Sequence, residues 1–572
     1  MNKTYWKESV VYEVYLRSFK DSNGDGIGDL NGLISQADYF SELGIDTIWL
    51  SPVYLSPDVD NGYDIKDYLA IQPEYGTMAD WERLLKELHG RSIRLIMDLV
   101  LNHTSDEHPW FIDARSSRDS KYRDYYIWRP AAEDGGPPNN WTSYLGKPAW
   151  TFDEGSGEYY LHLYNARQPD LNWDNPQLRA EMHKIMTFWL NKGIDGFRMD
   201  AINSISKDQR FPDTDKTKLQ ANGEPYTKNG PHIHEFLREM NDKVFSKYKI
   251  FTAGETSKVN EDDVLMYTRP ERRELSMVLS AEASKLADCE EDQWQSKEWD
   301  LDDLREVMIM WQKDVGEPGG WFGLYLSNHD QPRMVATFGD QGKYRVESAK
   351  MLAILLHTLK GTPFILQGEE LGMTNHPGLR RIEDFNDQQS HSYYDVMVKE
   401  RGEPEELIME RIRRKSRDHA RTPMQWDSSP NAGFTSGQPW LPVHPDYEEV
   451  NLLQQKNDPD SVFQFYKKLI RLRKDHPVMV YGEFDLMLKE HQQIFAYSRH
   501  DEDEEWLILL NFTAEEAHWE LPEEEAERLE GADFLFGNYP DEAEPKCHRQ
   551  GSLKPYEGLV YRRYQEKKPL IQ

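Results

Sequence analysis

The stretch "IRLIMDLVLNH" (Ile93–His103) is a nearly continuous apolar run that ends in polar residues. It follows the helix-like segment "MADWERLLKELHGR" (Met78–Arg91). A strand without polar alternation is typical of a parallel sheet covered on both faces, and the helix supplies such a cover. We therefore interpret these residues as one unit of an α/β fold.

The same alternation of short apolar strands with helical segments continues along the chain. The strand candidates are Val10–Phe19, Ile45–Pro52, Ile93–His103, Ile194–Ala201, Ile250–Thr256, Leu275–Glu282, Phe322–Asp330 and Thr362–Glu370. Eight such strands alternating with helices predict a (β/α)8 TIM barrel.

Two segments interrupt this alternation, and the pattern changes again near the end. Residues 104–170 are rich in Trp, Tyr, Pro and Gly, which predicts a small domain inserted after strand 3. Residues of about 374–455 predict an irregular, polar insertion after strand 8. From residue 479 to 572, runs such as "QQIFAYSRH" and "EEWLILLNFT" predict a C-terminal antiparallel β-sandwich. The barrel would then comprise residues 1–103 and 171–478.

Composition excludes several classes of protein. The 572 residues carry a net charge of −33, which repels nucleic acid and anionic lipid. Two distant cysteines, Cys289 and Cys547, imply no disulfide framework. The N-terminus has no apolar signal core, and no apolar run reaches transmembrane length. We expect a soluble cytoplasmic protein, monomeric or homodimeric, with no nucleic-acid or membrane partner.

Three carboxylates follow predicted barrel strands: Asp200 after strand 4, Glu255 after strand 5 and Asp330 after strand 7. The ends of the strands are where barrel active sites lie. A retaining glycosidase needs one carboxylate nucleophile and one carboxylic acid that later acts as a base. Arg198 lies two residues before Asp200, hence on the same strand face, where it should keep Asp200 ionised.

The motifs around these residues resemble a known family. The stretches "DLVLNH", "GFRMDAIN", "AGET" and "LSNHD" are similar to four sequence regions of the α-amylase family of glycoside hydrolases. "QPDLN" (Gln168–Asn172) resembles a fifth, in the form of the oligo-1,6-glucosidase and α-glucosidase branch. The resemblance runs from Tyr12 into the C-terminal domain and implies a small neutral oligosaccharide as substrate.

The resemblance also implies roles for individual residues. Asp200 would be the nucleophile, Glu255 the general acid/base and Asp330 the carboxylate that stabilises the transition state. The residues implied to hold the sugar ring are Asp98, His103, Arg198, His329, Asp60 and Tyr63. Arg417, in "SRDHARTPMQW", would join Asp60 and close the pocket behind one glucose, which implies exo-action.

The loop "DSNGDGIGDL" (Asp21–Leu30) has the spacing of the first half of a calcium-binding loop. Position 12 of the loop is Gly32, where a calcium sensor has a bidentate Glu. A plain acidic turn and a structural ion loop therefore remain as interpretations. The resemblance implies the structural ion, usually Ca²⁺. The implied ligands are Asp21, Asn23, Asp25, the carbonyl of Ile27, and Asp29.

The linkage preference is predicted from Ala201, which follows the nucleophile. Relatives that prefer α-1,6 links usually carry Val here, so Ala predicts maltose-type, α-1,4-linked substrates, with transglucosylation as a further activity. The stretch "LSAEAS" departs from the Phe–x–Phe–Glu–His pattern of the branch, which suggests a differently shaped aglycone site.

Several alternatives remain open. They are an oligo-1,6-glucosidase, a sucrose-active α-glucosidase and a trehalose-6-phosphate hydrolase, although the aglycone segments show no distinct basic cluster. The Arg-rich motif of sucrose isomerases is replaced by "MVATFGDQGKYR" (Met334–Arg345). A non-catalytic transporter heavy chain would need a membrane helix and would lack the full carboxylate set.

Overall fold

The structure, a computed structural model, describes residues 4–215, 223–289, 292–540, 547 and 549–565. Its centre is an eight-stranded parallel sheet. The strands are β1 (Val11–Val14), β2 (Thr47–Leu50), β3 (Arg94–Val100), β4 (Gly196–Asp200), β5 (Phe251–Thr256), β6 (Met277–Ser280), β7 (Gly323–Leu324) and β8 (Thr362–Leu366). Each lies within one of the eight predicted runs.

The sheet closes into a barrel. Neighbouring strands pair in the order β6–β5–β4–β3–β2–β1–β8–β7, and a parallel bridge between Val278 and Phe322 joins the two ends. Every residue of β2, β4 and β8 is buried. The continuous apolar runs therefore reflect strands covered on both faces, and the predicted TIM barrel is confirmed.

Eight helices surround the barrel. They are α1 (Ala37–Leu43), α2 (Met78–Gly90), α3 (Pro176–Lys192), α4 (Ile233–Lys243), α5 (Glu261–Thr268), α6 (Leu301–Ile309), α7 (Arg345–Thr358) and α8 (Val462–Asp475). In α2, a capping box between Thr77 and Asp80 satisfies the free amides of the first turn. The buried residues Trp81, Leu84 and Leu88 then follow at helical spacing and face the sheet.

Further helices lie in the loops and insertions. They are Tyr5–Glu8, Leu30–Ser35, Pro109–Ser116, Glu224–Thr227, Met334–Phe338, Gln388–Tyr394, Glu405–Lys415, Leu452–Asn457, Val478–Tyr481 and Glu523–Arg528. Two of them fall in the stretch of about 374–455, so the prediction that this stretch is irregular is wrong in part. Glu405–Lys415 buries only Ile408, Met409 and Ile412, and its other positions are polar, so its composition resembles that of a loop.

The segment after β3 forms a small unit of its own. Its three strands, Trp128–Arg129, Glu158–Leu161 and Trp150–Asp153, pair antiparallel in that spatial order. They cover an aromatic core that includes Trp141 and Trp150. The arrangement fits the predicted inserted domain, whose limits at 104 and 170 stay a prediction.

The C-terminal segment is entirely antiparallel. Its strands are β9 (Glu483–Met487), β10 (Ile494–His500), β11 (Glu504–Asn511), β12 (Ala517–Glu520), β13 (Asp533–Gly537), β14 (Gln550–Leu553) and β15 (Gly558–Tyr564). Five strands form one sheet in the order β9–β10–β11–β15–β13, and β12 pairs with β14. Side chains from both sheets, such as Leu509 and Trp519, share one apolar cluster, as the predicted sandwich requires.

Candidate active site

Arg198 lies at the centre of the polar residues at the carboxyl ends of the barrel strands. It pairs in register with Asp98 on the neighbouring strand β3, and it lies on β4 two residues before Asp200. Its Nη1 lies 2.9 Å from Asp98 Oδ1 and 2.7 Å from Asp200 Oδ1, and its Nη2 lies 2.9 Å from Glu255 Oε2. One guanidinium therefore holds three carboxylates from three strands.

Burial and the neighbouring charges shift the pKa values of the carboxyls around Arg198. Burial raises the pKa of Asp200 well above its usual range; Arg198 opposes the shift, and the charges of Glu255 and Asp98 add to it. Burial also raises the pKa of Asp98. Arg198 opposes these effects, and an ionised Asp200 stays a prediction.

Asp330 lies in a strongly cationic environment. Its Oδ1 lies 3.0 Å from Arg417 Nη1 and 2.8 Å from Arg421 Nη2, and its Oδ2 lies 3.2 Å from His329 Nε2. Burial alone would raise the pKa of this carboxyl, but His329 and the two arginines lower it well below the usual range. Asp330 therefore stays ionised.

His329 is the buried partner of Asp330. Burial would lower its pKa, but Asp330 and Glu13 outweigh that effect and raise it to about 10. Glu13, on β1, lies 2.5 Å from His329 Nδ1. Tyr63 stacks on the imidazole ring and its hydroxyl donates to Asp98 Oδ2 at 2.9 Å, which connects the two halves of the site.

A wall of charged side chains closes one side of the pocket. Asp60 Oδ1 lies 3.3 Å from Arg417 Nη2, and Asp387 Oδ1 lies 2.6 Å from the same nitrogen. Gln168 Nε2 donates to Asp60 Oδ2 at 3.1 Å and also lies 3.1 Å from His103 Nε2. Burial lowers the pKa of His103, so a neutral imidazole completes this wall.

Ala201 adopts a left-handed backbone conformation, with φ of 41°, directly after Asp200. Its amide nitrogen donates to Glu255 Oε2 at 2.9 Å, so the turn helps to position that carboxylate. A β-branched side chain is strained at such a φ. The effect of Ala201→Val on linkage preference would therefore include backbone strain as well as crowding.

Sequence reasoning missed several residues of the site. Gln168, in "QPDLN", and Arg421, in "SRDHARTPMQW", were assigned no role, and Asp387 lies in none of the motifs. Lys228 was missed entirely: its Nζ donates to Ser204 Oγ at 2.7 Å and lies 5.4 Å from the centre of the Tyr144 ring. These contacts join segments that are distant in sequence, so only the fold reveals them.

Lys228 carries a cation close to the catalytic acid candidate. Burial lowers its pKa to about 8, while the charges of Glu224 and Glu255 oppose that shift and Lys285 adds to it. In the "LSAEAS" segment, burial raises the pKa of the Glu282 carboxyl.

The loop Asp21–Asp29 is curled around its own side-chain oxygens. The amides of Asn23, Asp25 and Ile27 donate to Asp21, Asn23 and Asp25 respectively, at 2.8, 2.9 and 2.9 Å. Asp29 caps the next helix through Gly32 N. In the described part of the chain, no three His, Cys, Asp or Glu converge as a metal site. An all-oxygen set including Asn23 and the Ile27 carbonyl fits Ca²⁺ in donor chemistry.

Comparison with known proteins agrees with this geometry. The family model of the α-amylase catalytic domain matches residues 13–482, and that of the maltogenic amylase C-terminal domain matches residues 484–557. The chain belongs to the α-amylase family. The family resemblance expected from the motifs is therefore confirmed.

Individual members of the α-amylase family are similar over nearly the whole chain. An oligo-1,6-glucosidase of Parageobacillus thermoglucosidasius is 52% identical over 98% of this chain and 99% of its own length. A solved trehalose-6-phosphate hydrolase from Bacillus licheniformis is 47% identical with a TM-score of 0.93, covering 98% of this chain and 100% of that one. The isomaltulose synthase of Erwinia rhapontici NX5 in complex with sucrose, an E295Q mutant, is 42% identical with a TM-score of 0.94, covering 98% and 99%.

These relatives support a glycoside hydrolase of the α-amylase family that acts on oligosaccharides. They do not support the maltose preference predicted from Ala201, because they are named as an oligo-1,6-glucosidase, a trehalose-6-phosphate hydrolase and an isomaltulose synthase. Within the described residues, no helix is both long and apolar enough to cross a membrane.

Proposed function

We propose that this protein is an exo-acting, retaining α-glucosidase that releases glucose from the non-reducing end of short α-glucosides. The observation that carries the proposal is the combination of Asp200, Glu255 and Asp330 with a pocket closed by Asp60 and Arg417. A wall behind one sugar unit leaves no room for a longer chain on that side.

The positions of Asp200 and Glu255 beside the Arg198 guanidinium fit a two-step displacement. Asp200 attacks the anomeric carbon, and Glu255 gives its proton to the departing glycosidic oxygen. Glu255 then removes a proton from water, which attacks the same carbon and releases Asp200. Both carboxylates contact the two nitrogens of one guanidinium, so they lie close together, as retention requires.

The remaining residues hold the sugar and its charge. The ionised Asp330 faces the ring, where positive charge develops in the transition state. His329, Asp98 and His103 would bind hydroxyls, while Asp60 and Arg417 would bind the hydroxyl farthest from the scissile bond. Each of these groups has at least one hydrogen-bond or ion-pair partner, so little reorganisation is needed when substrate enters.

For linkage, we propose α-1,6 links, as in isomaltose, as the preferred substrate. The support is the 52% identity to an oligo-1,6-glucosidase over nearly all of both chains. The test is kcat/KM for isomaltose, maltose, sucrose and trehalose 6-phosphate under one set of conditions. Isomaltose should be the best substrate; a clear preference for maltose would instead restore the expectation drawn from Ala201.

A second candidate is hydrolysis of trehalose 6-phosphate, which Lys228 favours. This half-buried cation is close enough to Glu255 for the Glu255 charge to raise its pKa, and its Nζ donates to Ser204 Oγ in the loop after β4. If Lys228 contacts a phosphate, Lys228→Met should lower kcat/KM for trehalose 6-phosphate at least about tenfold more than for isomaltose. Equal losses for both substrates would show that Lys228 only supports the loop after β4.

We also propose that Asp21, Asn23, Asp25, Asp29 and the Ile27 carbonyl hold a structural Ca²⁺. The bound ion would neutralise the carboxylates of this loop. It would take no part in the reaction.

A further inference from the structure

A second, separate groove lies between the inserted segment and the helix Gln388–Tyr394. Its volume is about 660 Å³, which falls within the range of small-molecule binding sites. Its walls come from residues 143–151 and 162–166 on one side and residues 386–395 on the other. None of the catalytic carboxylates lines it, and its lining residue Tyr164 packs on His103 of the glucose pocket with ring centres 5.0 Å apart.

The groove lies directly behind the wall of the glucose pocket. Asn165 Nδ2 donates to Gln388 Oε1 at 2.7 Å, and both residues line the groove. Asn165 N donates to Gln168 Oε1 at 3.0 Å, and Gln168 contacts Asp60. Gln388 directly follows Asp387 in the chain, and Asp387 binds Arg417.

These contacts form a closed ring of six residues. In order they are Asp60, Gln168, Asn165, Gln388, Asp387 and Arg417. One part of the ring faces the glucose pocket and the opposite part lines the groove. A ligand in the groove would therefore contact the same ring that binds the terminal hydroxyl of the substrate.

The chemistry of the walls indicates the class of ligand. Side-chain amides and hydroxyls, including Asn165, Gln388 and Thr151, alternate with the apolar surfaces of Leu145, Pro148 and Tyr164. Sugars present both alternating hydroxyls and apolar C–H faces, and such walls match both features.

The charges of the lining residues match a neutral ligand better than an ionic one. Burial lowers the pKa of His162, so this lining residue is neutral. The Asp395 carboxylate is paired with Lys399 at 2.6 Å. Lys147 is thus the lining cation, and it is exposed at the edge of the groove.

We propose that this groove is a second binding site for a neutral oligosaccharide, distinct from the glucose pocket. The choice of a glucosyl chain rests on the proposed function, while the site itself rests on the groove and its ring. Binding here would place a second sugar against the Asn165 and Gln388 side of the ring that contains Asp60 and Arg417.

The test uses the full-length protein with its glucose pocket blocked by excess 1-deoxynojirimycin. Saturation-transfer NMR then reports residual binding of isomaltotriose. Ala166→Trp and, independently, Thr151→Trp place a large side chain in the groove. Ala131→Trp, on the inserted segment away from the groove, is the matched control.

We expect residual binding in the wild type and in Ala131→Trp, and at least a tenfold weaker affinity in both groove variants. The kcat/KM for p-nitrophenyl α-D-glucoside should stay within about twofold in all four proteins, which checks folding and the proposed function separately. Absence of residual binding to the wild type, or undiminished binding to both folded groove variants, would overturn the proposal. If the wild type did not hydrolyse p-nitrophenyl α-D-glucoside, the proposed function would be wrong.

Discussion

Arg198 shows how one side chain organises the chemistry of this site. It binds Asp98, Asp200 and Glu255 together within 2.9 Å, although these residues come from three strands. The candidate nucleophile and the candidate acid therefore share one cation, with Asp98 as its third partner. The nucleophile and the acid thus depend on each other, and neither can be understood from its own sequence motif.

Asp60 should account for much of the recognition of the terminal glucose. We expect Asp60→Asn to lower kcat/KM for isomaltose about ten- to hundredfold, because hydrogen bonds to charged groups contribute about 1.5–3 kcal/mol. Asp58→Asn is a matched control in the same loop, since Asp58 pairs with Arg17 and not with the wall. Equal effects of the two substitutions would contradict the role of Asp60.

His329 should make stability depend on pH in the alkaline range. Its pKa rises from 6.5 in the unfolded chain to about 10 in the folded protein. The protonated form therefore stabilises the fold fully below pH 6.5, and this contribution is lost as the pH rises toward about 10.

The difference in unfolding free energy between wild type and His329→Gln should therefore shrink between pH 6.5 and 10 in denaturant titrations. His357→Gln is the control, because burial lowers the pKa of His357 to about 4, so its contribution changes only below pH 6.5. If the difference in unfolding free energy between wild type and His329→Gln were constant between pH 7 and 10, the imidazole would be neutral.

Among the elements, those with a simple burial pattern were predictable. All eight barrel strands were found from their apolar runs, because both faces of each strand are covered. The C-terminal strands β9, β13 and β14 were missed, since their exposed positions break the apolar pattern. The helices of residues 374–455 were missed for the same reason, as they bury only a narrow face.

Lys207 connects three elements at the top of the barrel. Its Nζ lies 2.8 Å from Asn102 Oδ1 after β3, 2.8 Å from the Ser204 carbonyl after β4, and 3.0 Å from Asp170 Oδ2 at the end of the inserted segment. All of these groups are buried. Motif reading did not reveal this connection, because its partners are distant in sequence.

Lys207→Met should lower the free energy of unfolding by about 3–5 kcal/mol, because it leaves the Asp170 carboxylate buried without its cation. Lys184→Met is the control, since the Lys184–Glu181 pair is exposed and should contribute less than about 1 kcal/mol. Urea titrations of both variants give the comparison. A loss below 1 kcal/mol for Lys207→Met would contradict a linking role.

In the whole molecule, the barrel is surrounded by long insertions that contact one another. The loop Asp21–Asp29 shows this, because the Asp21 carboxylate accepts from Thr435 and the Asp21 amide donates to the Phe434 carbonyl at 3.0 Å. The start of the chain is thereby fixed to the segment that also supplies Arg417. An ion in this loop would stabilise that connection without contacting substrate.

Removal of Ca²⁺ should therefore lower the melting temperature and spare the chemistry. We expect a chelator to reduce Tm by several degrees and added Ca²⁺ to restore it, as mass action on the folded state requires. Asp25→Asn should reduce the response, since it removes one charged ligand, whereas Asp38→Asn on α1 should not. Loss of activity at a temperature where the chelated protein remains folded would contradict a structural ion.

The proposed reaction is tested by following the anomeric protons of glucose by NMR during hydrolysis of isomaltotriose. An exo-acting retaining enzyme should release α-glucose first, together with isomaltose, and the β-anomer should appear only at the rate of mutarotation. Asp200→Asn and Glu255→Gln should slow this release by several orders of magnitude while the fold survives. If β-glucose appeared first, or if the new α-anomer appeared on isomaltose instead of on glucose, the proposed mechanism would be wrong.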